Sequence, residues 1–125
     1  VKLSKIKADS NLINQAFNNL VKNSINAIKE RQNKLNEKEF PGKINIELSE
    51  NNSLCLLKVT DNGIGLPEDK EHLTEPYISR NKKGSGLGLA VVKKIMEDHK
   101  GFLELNNNNN NVGANVTLLF PIETN

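Results

Sequence analysis

Apolar residues recur at helical spacing between Asn11 and about Lys34, at Ile13, Phe17, Leu20 and Ile28, with the small Ser24 in the same stripe. That stripe predicts an amphipathic helix, and Asp9 or Ser10 is placed to cap its start. Before it, residues 1–8 (VKLSKIKA) alternate in the manner of a short strand. After it, residues 35–42 are polar and break at Pro41-Gly42. Period-two alternation then takes over. Lys43–Ser49 puts Ile44, Ile46 and Leu48 on one face, Ser53–Thr60 forms a second run, and Glu50-Asn51-Asn52 links the two as a hairpin.

Asp61–Pro67 is turn-rich, and residues 68–83 are polar and irregular. Connections of that length are uncommon unless functional or disordered. Gly84–Leu89 then runs into a second helix over about Leu87–Lys100, with Val91, Val92, Ile95 and Met96 apolar and Gly101 as its C′ residue. Phe102–Leu105 reads as a strand, the run Asn106–Asn111 as a loop, and Asn115–Pro121 as a last strand with Val116, Leu118 and Phe120 on one face. Helices and strands come in blocks, not as repeated βαβ units. The expected fold is therefore α/β, a two-layer sandwich with a mixed or largely antiparallel sheet.

Composition narrows the function classes. A length of 125 residues makes one domain. The 36% hydrophobic content is low, but the 26% charged content is ordinary, so a folded chain is expected. A net charge of +2 and only 4% aromatic residues give no reason to expect a nucleic acid partner or a base-stacking platform. Cys55 is the only cysteine, so no internal disulfide forms and no Cys/His metal spacing exists. A reducing, cytoplasmic setting fits it. Apolar runs such as Leu54–Leu57 are too short to span a bilayer, and no signal peptide opens the sequence. The chain reads as a piece of a parent protein, and anchoring of that parent in the inner membrane is compatible with all of this.

Three groups of residues have the types needed for ligand chemistry. On the first helix, Asn19, Asn23 and Asn26 fall within about 60° of one another along one edge of the apolar stripe. Amides there can reach a ligand held against the helix, although asparagine abounds in this chain and a plain solvated edge is the alternative. Asp61-Asn62-Gly63-Ile64-Gly65 follows a strand. Asn-Gly between apolar residues is a hairpin signal, yet no clean strand returns after it. The other reading is a ligand turn, with glycines that let a flat base approach and a carboxylate that accepts from an exocyclic amine. Gly84-Ser85-Gly86-Leu87-Gly88-Leu89 opens a helix, where freed backbone N–H groups form an anion site; a hinge is the alternative. Its G-x-G-x-G spacing after a loop disfavours a Rossmann site, and no Walker A or protein-kinase signature is present. Arg80, Lys82 and Lys83 precede this loop and suit phosphate charge.

In this order the three groups resemble the GHKL ATPase superfamily, and more closely the catalytic domain of bacterial sensor histidine kinases. Asn18–Ser24 resembles the family's N box, Asp61–Gly65 its G1 box, Glu75-Pro76-Tyr77 its F-box region and Gly84–Leu89 its G2 box. Gly113–Val116 and Phe120-Pro121 resemble its last strand, so the resemblance covers nearly the whole chain. Within the kinases, Glu75-Pro76-Tyr77 and the following segment are similar to the NtrY nitrogen-regulation type.

The resemblance implies a Bergerat-type sandwich of about three helices on one sheet, with a mobile lid over about residues 68–83 and ATP and Mg²⁺ as ligands. It implies that Asp61 recognises the adenine amine, that Gly63 and Gly65 shape the base pocket, and that Asn23 coordinates Mg²⁺. Asn19 is the residue it places at the reacting γ-phosphate. Gly84, Ser85, Gly86, Leu87, Gly88 and Leu89 form the phosphate loop, with the amides of Gly84, Gly86, Leu87 and Gly88 on phosphate oxygens. Arg80, Lys82 and Lys83 are the candidate basic contacts from the lid, where Ser79-Arg80-Asn81 departs from the common pattern of two threonines and a basic residue.

ATP-hydrolysing members, such as the gyrase and MutL types, carry a glutamate four residues before the Mg²⁺ asparagine. Here that position is Asn19, which is no general base, so hydrolysis is disfavoured. A phosphoacceptor histidine of the family is typically followed by an acidic residue, whereas His72 precedes Leu73 and His99 precedes Lys100. His99 reads instead as a helix-end residue against the dipole. The acceptor is thus expected on a separate dimerisation domain outside these residues, a response regulator is the expected downstream partner, and the isolated domain is expected to be monomeric. The alternative is a degenerate kinase, a regulatory module that binds nucleotide without catalysis.

Overall fold

The computed structural model describes residues 8–34, 40–67, 73–74, 88–108 and 112–122. Asp9 caps helix α1 (Ser10–Lys34). Its Oδ1 accepts from the backbone N–H groups of Asn11 at 2.9 Å and Leu12 at 3.1 Å, two of the donors a helix start leaves unpaired. Strands β1 (Ile44–Asn51) and β2 (Leu54–Asp61) follow, then helix α2 (Gly88–Asp98), β3 (Phe102–Asn107) and β4 (Ala114–Pro121). The four strands form one sheet in the order β1-β2-β4-β3, antiparallel at every pairing. Of the about three helices expected, two are described. The strand expected over residues 1–8 falls on residues outside those described, apart from Ala8, as does the lid over 68–83, apart from Leu73 and Thr74.

Both helices cover one face of the sheet. Ala16, Leu20, Val92, Ile95 and Met96 from the helices meet Cys55, Val59, Leu118 and Phe120 from the two central strands. Residues directly opposite in an antiparallel pair share a face, and Val59 faces Val116, Leu57 faces Leu118 and Cys55 faces Phe120. Ile46 and Leu48 stand opposite Val59 and Leu57, on that same face. Yet they are 48% and 52% exposed, because α1 lies over β2 and only reaches the margin of β1. Among the described residues no helix is long and apolar enough to cross a membrane.

Three element ends differ from the sequence expectation. The hairpin turns on Asn52-Ser53 alone, since β1 runs to Asn51, which pairs with Leu54. β3 continues through Asn106 and Asn107, two residues into the asparagine run, pairing with Asn115 and Ala114. At the end of α2 it is Lys100, at φ 59°, that takes the left-handed conformation. Lys100 N–H bonds Glu97 C=O at 3.0 Å and Gly101 N–H bonds Met96 C=O at 2.8 Å, the paired closure of a Schellman motif with Lys100 at C′. Gly101 is needed for space: a Cβ there would strike the Leu119 carbonyl and lie 2.8 Å from Met96 Cε.

His99 ties the helices together. The Asp9 N–H donates to its Nε2 at 3.0 Å, so its Nδ1 carries the proton and donates to Ile95 C=O at 2.7 Å. Both ring nitrogens are thus engaged at the helix end, one with the start of α1 and one with the last turn of α2.

Cys55 lies in this core, 6% exposed. Burial, and secondarily the charge of Glu50, pushes its thiol above the ordinary value. Because the fold disfavours the thiolate and leaves the neutral thiol unaffected, stability falls as pH rises from the pKa of the unfolded thiol through the raised folded value. At about pH 8 Cys55 is expected to react with a disulfide reagent at least about tenfold more slowly in the native chain than in guanidinium. Equal rates would show that the β2–β4 face is open.

Candidate functional site

The site is assembled along α1. Asn19 and Asn23 are one helical turn apart and so lie on one edge. The first described residue of α2 rests against that edge: a Cβ built at Gly88 would stand 3.6 Å from Asn19 Oδ1 and 3.8 Å from Asn23 Oδ1. Asn19 is half-buried and Asn23 exposed. Amide oxygens therefore flank the first turn of a helix, where backbone N–H groups and the helix dipole favour negative charge. Leu89 turns its side chain to the core. Gly84, Ser85, Gly86 and Leu87, with Arg80, Lys82 and Lys83, lie outside the described residues.

One further turn along α1 comes Ala27, and here the Asp61–Gly65 segment packs. Ile64 N–H bonds Ala27 C=O at 3.1 Å. A Cβ on Gly63 would sit 2.5 Å from Ala27 C and 2.7 Å from Ile28 N, so only glycine lets this backbone touch the helix. Gly65 has φ +85°, a conformation glycine adopts without strain. Among the described residues the segment is not a hairpin turn, for the strands paired with β2 are β1 and β4, not a return of the chain after Pro67.

Asp61 ends β2 and is 6% exposed. Its Oδ1 accepts from Gly63 N–H at 2.9 Å and Ala114 N–H at 3.4 Å. Among the described contacts Oδ2 accepts none, which leaves an acceptor beside a glycine-walled turn. Asn62, by contrast, points to the frame. Its Oδ1 accepts from Lys43 N–H at 2.8 Å, its Nδ2 donates to Pro41 C=O at 3.0 Å, and its own carbonyl accepts from Arg31 at 2.9 Å. The Arg31 guanidinium also lies 3.9 Å over the Phe40 ring, a cation–π contact. The chain entering β1 is thereby strapped to the turn.

Sequence reasoning missed the residues that grip this turn from the β3–β4 side. Asn107 accepts from Leu66 N–H at 2.7 Å and donates to Leu66 C=O at 3.2 Å. Asn108 donates to Asp61 C=O at 3.0 Å and Val112 C=O at 2.6 Å, and accepts from Asn115 Nδ2 at 3.0 Å. Both fall in the run Asn106–Asn111, which the sequence alone reads as a loop. No local signal marks them; in the structure Asn108 N–H bonds the carbonyl of Gly113 at 3.1 Å, a residue that has φ +83° and whose missing Cβ makes room for the Asp61 carbonyl.

No group of three His, Cys, Asp or Glu side chains suited to a metal occurs among the described residues. Mg²⁺ with a nucleotide does not require one. It takes oxygen ligands, one or two from protein and the rest from phosphates and water, and the exposed amide oxygen of Asn23 beside the start of α2 suits that coordination.

Fold and site together define a nucleotide-binding sandwich of the GHKL class. Residues 8–124 match the family described as histidine kinase-, DNA gyrase B-, and HSP90-like ATPase, and the chain belongs to that family. It is 37% identical over 116 residues to the nitrogen regulation protein NtrY of Azorhizobium caulinodans, covering 92% of this chain and 15% of that protein. It is 34% identical over 119 residues to sporulation kinase B of Bacillus subtilis, covering 94% of this chain and 26% of that protein. Among solved structures, the catalytic domain of the histidine kinase ThkA superposes with a TM-score of 0.76 at 32% identity, over 94% of this chain and 70% of that one. The chain is an ATP-binding catalytic domain of the sensor histidine kinase kind, and it spans about a quarter or less of the length of NtrY and of sporulation kinase B.

Proposed function

We propose that this domain binds ATP with Mg²⁺ and supplies the γ-phosphoryl group to a histidine on a separate dimerisation domain, upstream of a response regulator. The observation that carries this reading is the convergence on α1. Asn19 and Asn23 flank the start of α2, and the next turn of the helix holds the Asp61–Gly65 segment. A base end and a phosphate end thus lie within two turns of one rigid helix.

In this reading Asp61 Oδ2 accepts from the adenine amine, while Gly63 and Gly65 admit the flat base. Asn23 would hold Mg²⁺, which when bound neutralises charge on the phosphate oxygens. Asn19 lies at the γ-phosphate, and within the phosphate loop Gly84–Leu89 the amides of Gly84, Gly86, Leu87 and Gly88 meet the phosphate oxygens. Arg80, Lys82 and Lys83 are the candidate lid cations. Phosphoryl transfer asks mainly for positioning and charge neutralisation, and such a site offers both. It offers no general base at Asn19 to activate water. His99 is unsuited as acceptor, since both its ring nitrogens are engaged.

Incubation with γ-labelled ATP tests the proposal. The chain alone is expected to acquire no phosphohistidine, and addition of a phosphoacceptor domain of the NtrY type is expected to yield label on that domain. Stable label on this chain would place the acceptor here. ATP bound without transfer to any acceptor supplied would make the domain a non-catalytic nucleotide module.

A further inference from the structure

Asn107 is exposed, at the end of an edge strand, yet both ends of its carboxamide are committed to one residue, Leu66, through the peptide groups on either side of it. Oδ1 accepts from Leu66 N–H at 2.7 Å and Nδ2 donates to Leu66 C=O at 3.2 Å. Among side chains of this length, only a primary amide offers a donor and an acceptor side by side. The arrangement reproduces a β-bridge with a side chain in place of a strand. The same oxygen lies 3.1 Å from where a Cβ on Gly65 would be, so the carboxamide also backs the left-handed glycine. The other end of the turn is held by different means: Asp61 by Ala114 and Asn108, Gly63 by α1. The Leu66 end is what Asn107 holds.

We propose that Asn107 is a positioning residue for the nucleotide. It clamps the backbone of Leu66, through the N–H it shares with Gly65 and the carbonyl it shares with Pro67, and so sets the wall of the pocket on the base side, without touching the ligand itself. This rests on the reading that Asp61 and Gly65 receive adenine. Because Asn107 is exposed, replacing it removes no core volume. The cost falls on the geometry of the wall and not on the fold.

Titration calorimetry of the 125-residue chain with ATP and with ADP tests the proposal, on the wild type, Asn107→Ala and Asn107→Asp. The aspartate keeps the shape but sets an acceptor against the Leu66 carbonyl. Both variants are expected to bind ATP about tenfold more weakly, the scale of one or two ordinary hydrogen bonds, with aspartate the weaker. The loss is expected to be equal for ADP, which carries the same base and sugar, while melting temperatures stay within about 5 °C. Alanine, which introduces no charge, reads the same quantity if the aspartate chain does not fold. ATP affinity within about twofold of wild type in the folded variants overturns the proposal. So does a loss for ATP that spares ADP, or a loss that tracks the unfolded fraction. A wild-type chain that binds neither nucleotide overturns the adenine reading as well.

Discussion

Asp61→Asn is expected to weaken ATP binding by about 30-fold to 1000-fold while leaving the domain folded. The two effects separate because the carboxylate oxygens face different partners. Oδ1 accepts from Gly63 and Ala114, and an asparagine oxygen can keep both bonds. Nδ2 would then replace Oδ2, turning the free acceptor into a donor opposite the adenine amine of the proposed complex. Two donors left facing each other in a buried site cost about 2–4 kcal/mol, which is that range of affinity. Calorimetry with ATP measures the loss, and a melting curve confirms the fold. A purine triphosphate lacking the exocyclic amine is a control that discriminates further, for it should bind variant and wild type within about threefold of each other. If Asp61→Asn binds ATP as the wild type does, the adenine contact lies elsewhere.

The second large effect is on stability. Gly113→Ala is expected to cost about 3–5 kcal/mol, the range of severe steric and backbone lesions, and to lower the melting temperature by about 10–20 °C for a domain of this size. Two causes act together. At φ +83° an alanine is strained whatever the space. The new Cβ would also strike the Asp61 carbonyl and lie 2.7 Å from Asn62 Cα, backbone that cannot swing aside as a side chain end can. Asp61 itself would have to move, so ATP affinity is expected to fall with stability. Thermal unfolding checks the first effect; a shift below about 2 °C would mean that the β3–β4 turn does not bear on Asp61.

Much of the site is legible in the chain because its parts are short and local. A cap at Asp9 or Ser10, a stripe along α1 and a glycine-rich turn after a strand each follow from neighbours in sequence. The misplacements have physical reasons. The ends of β1 and β3 run longer because pairing with a partner strand outweighs the weak strand preference of asparagine and glutamate. Ile46 and Leu48 follow the alternation of a covered face, but how far the helices extend over the sheet is not written in β1. Gly101 has the composition of a helix stop, yet it is the approach of Leu119 that requires glycine there.

Asn107 and Asn108 illustrate the limit best. In a chain rich in asparagine, nothing local distinguishes a clamp from a spacer. What makes them clamps is the insertion of β4 between β2 and β3, which carries the end of β3 and the start of β4 to the end of β2. The sequence by itself determined the element types and the order of the glycine and asparagine motifs that mark the family, since these depend on periodicity and on residue type within a few positions; it narrowed the helix cap to Asp9 or Ser10. The tertiary structure decided which of Asp61's oxygens stays open, why Gly63 and Gly113 tolerate no side chain, and which asparagines hold the turn. Those properties arise where segments distant in sequence approach within a few ångströms, and that proximity is set by the order of strands in the sheet.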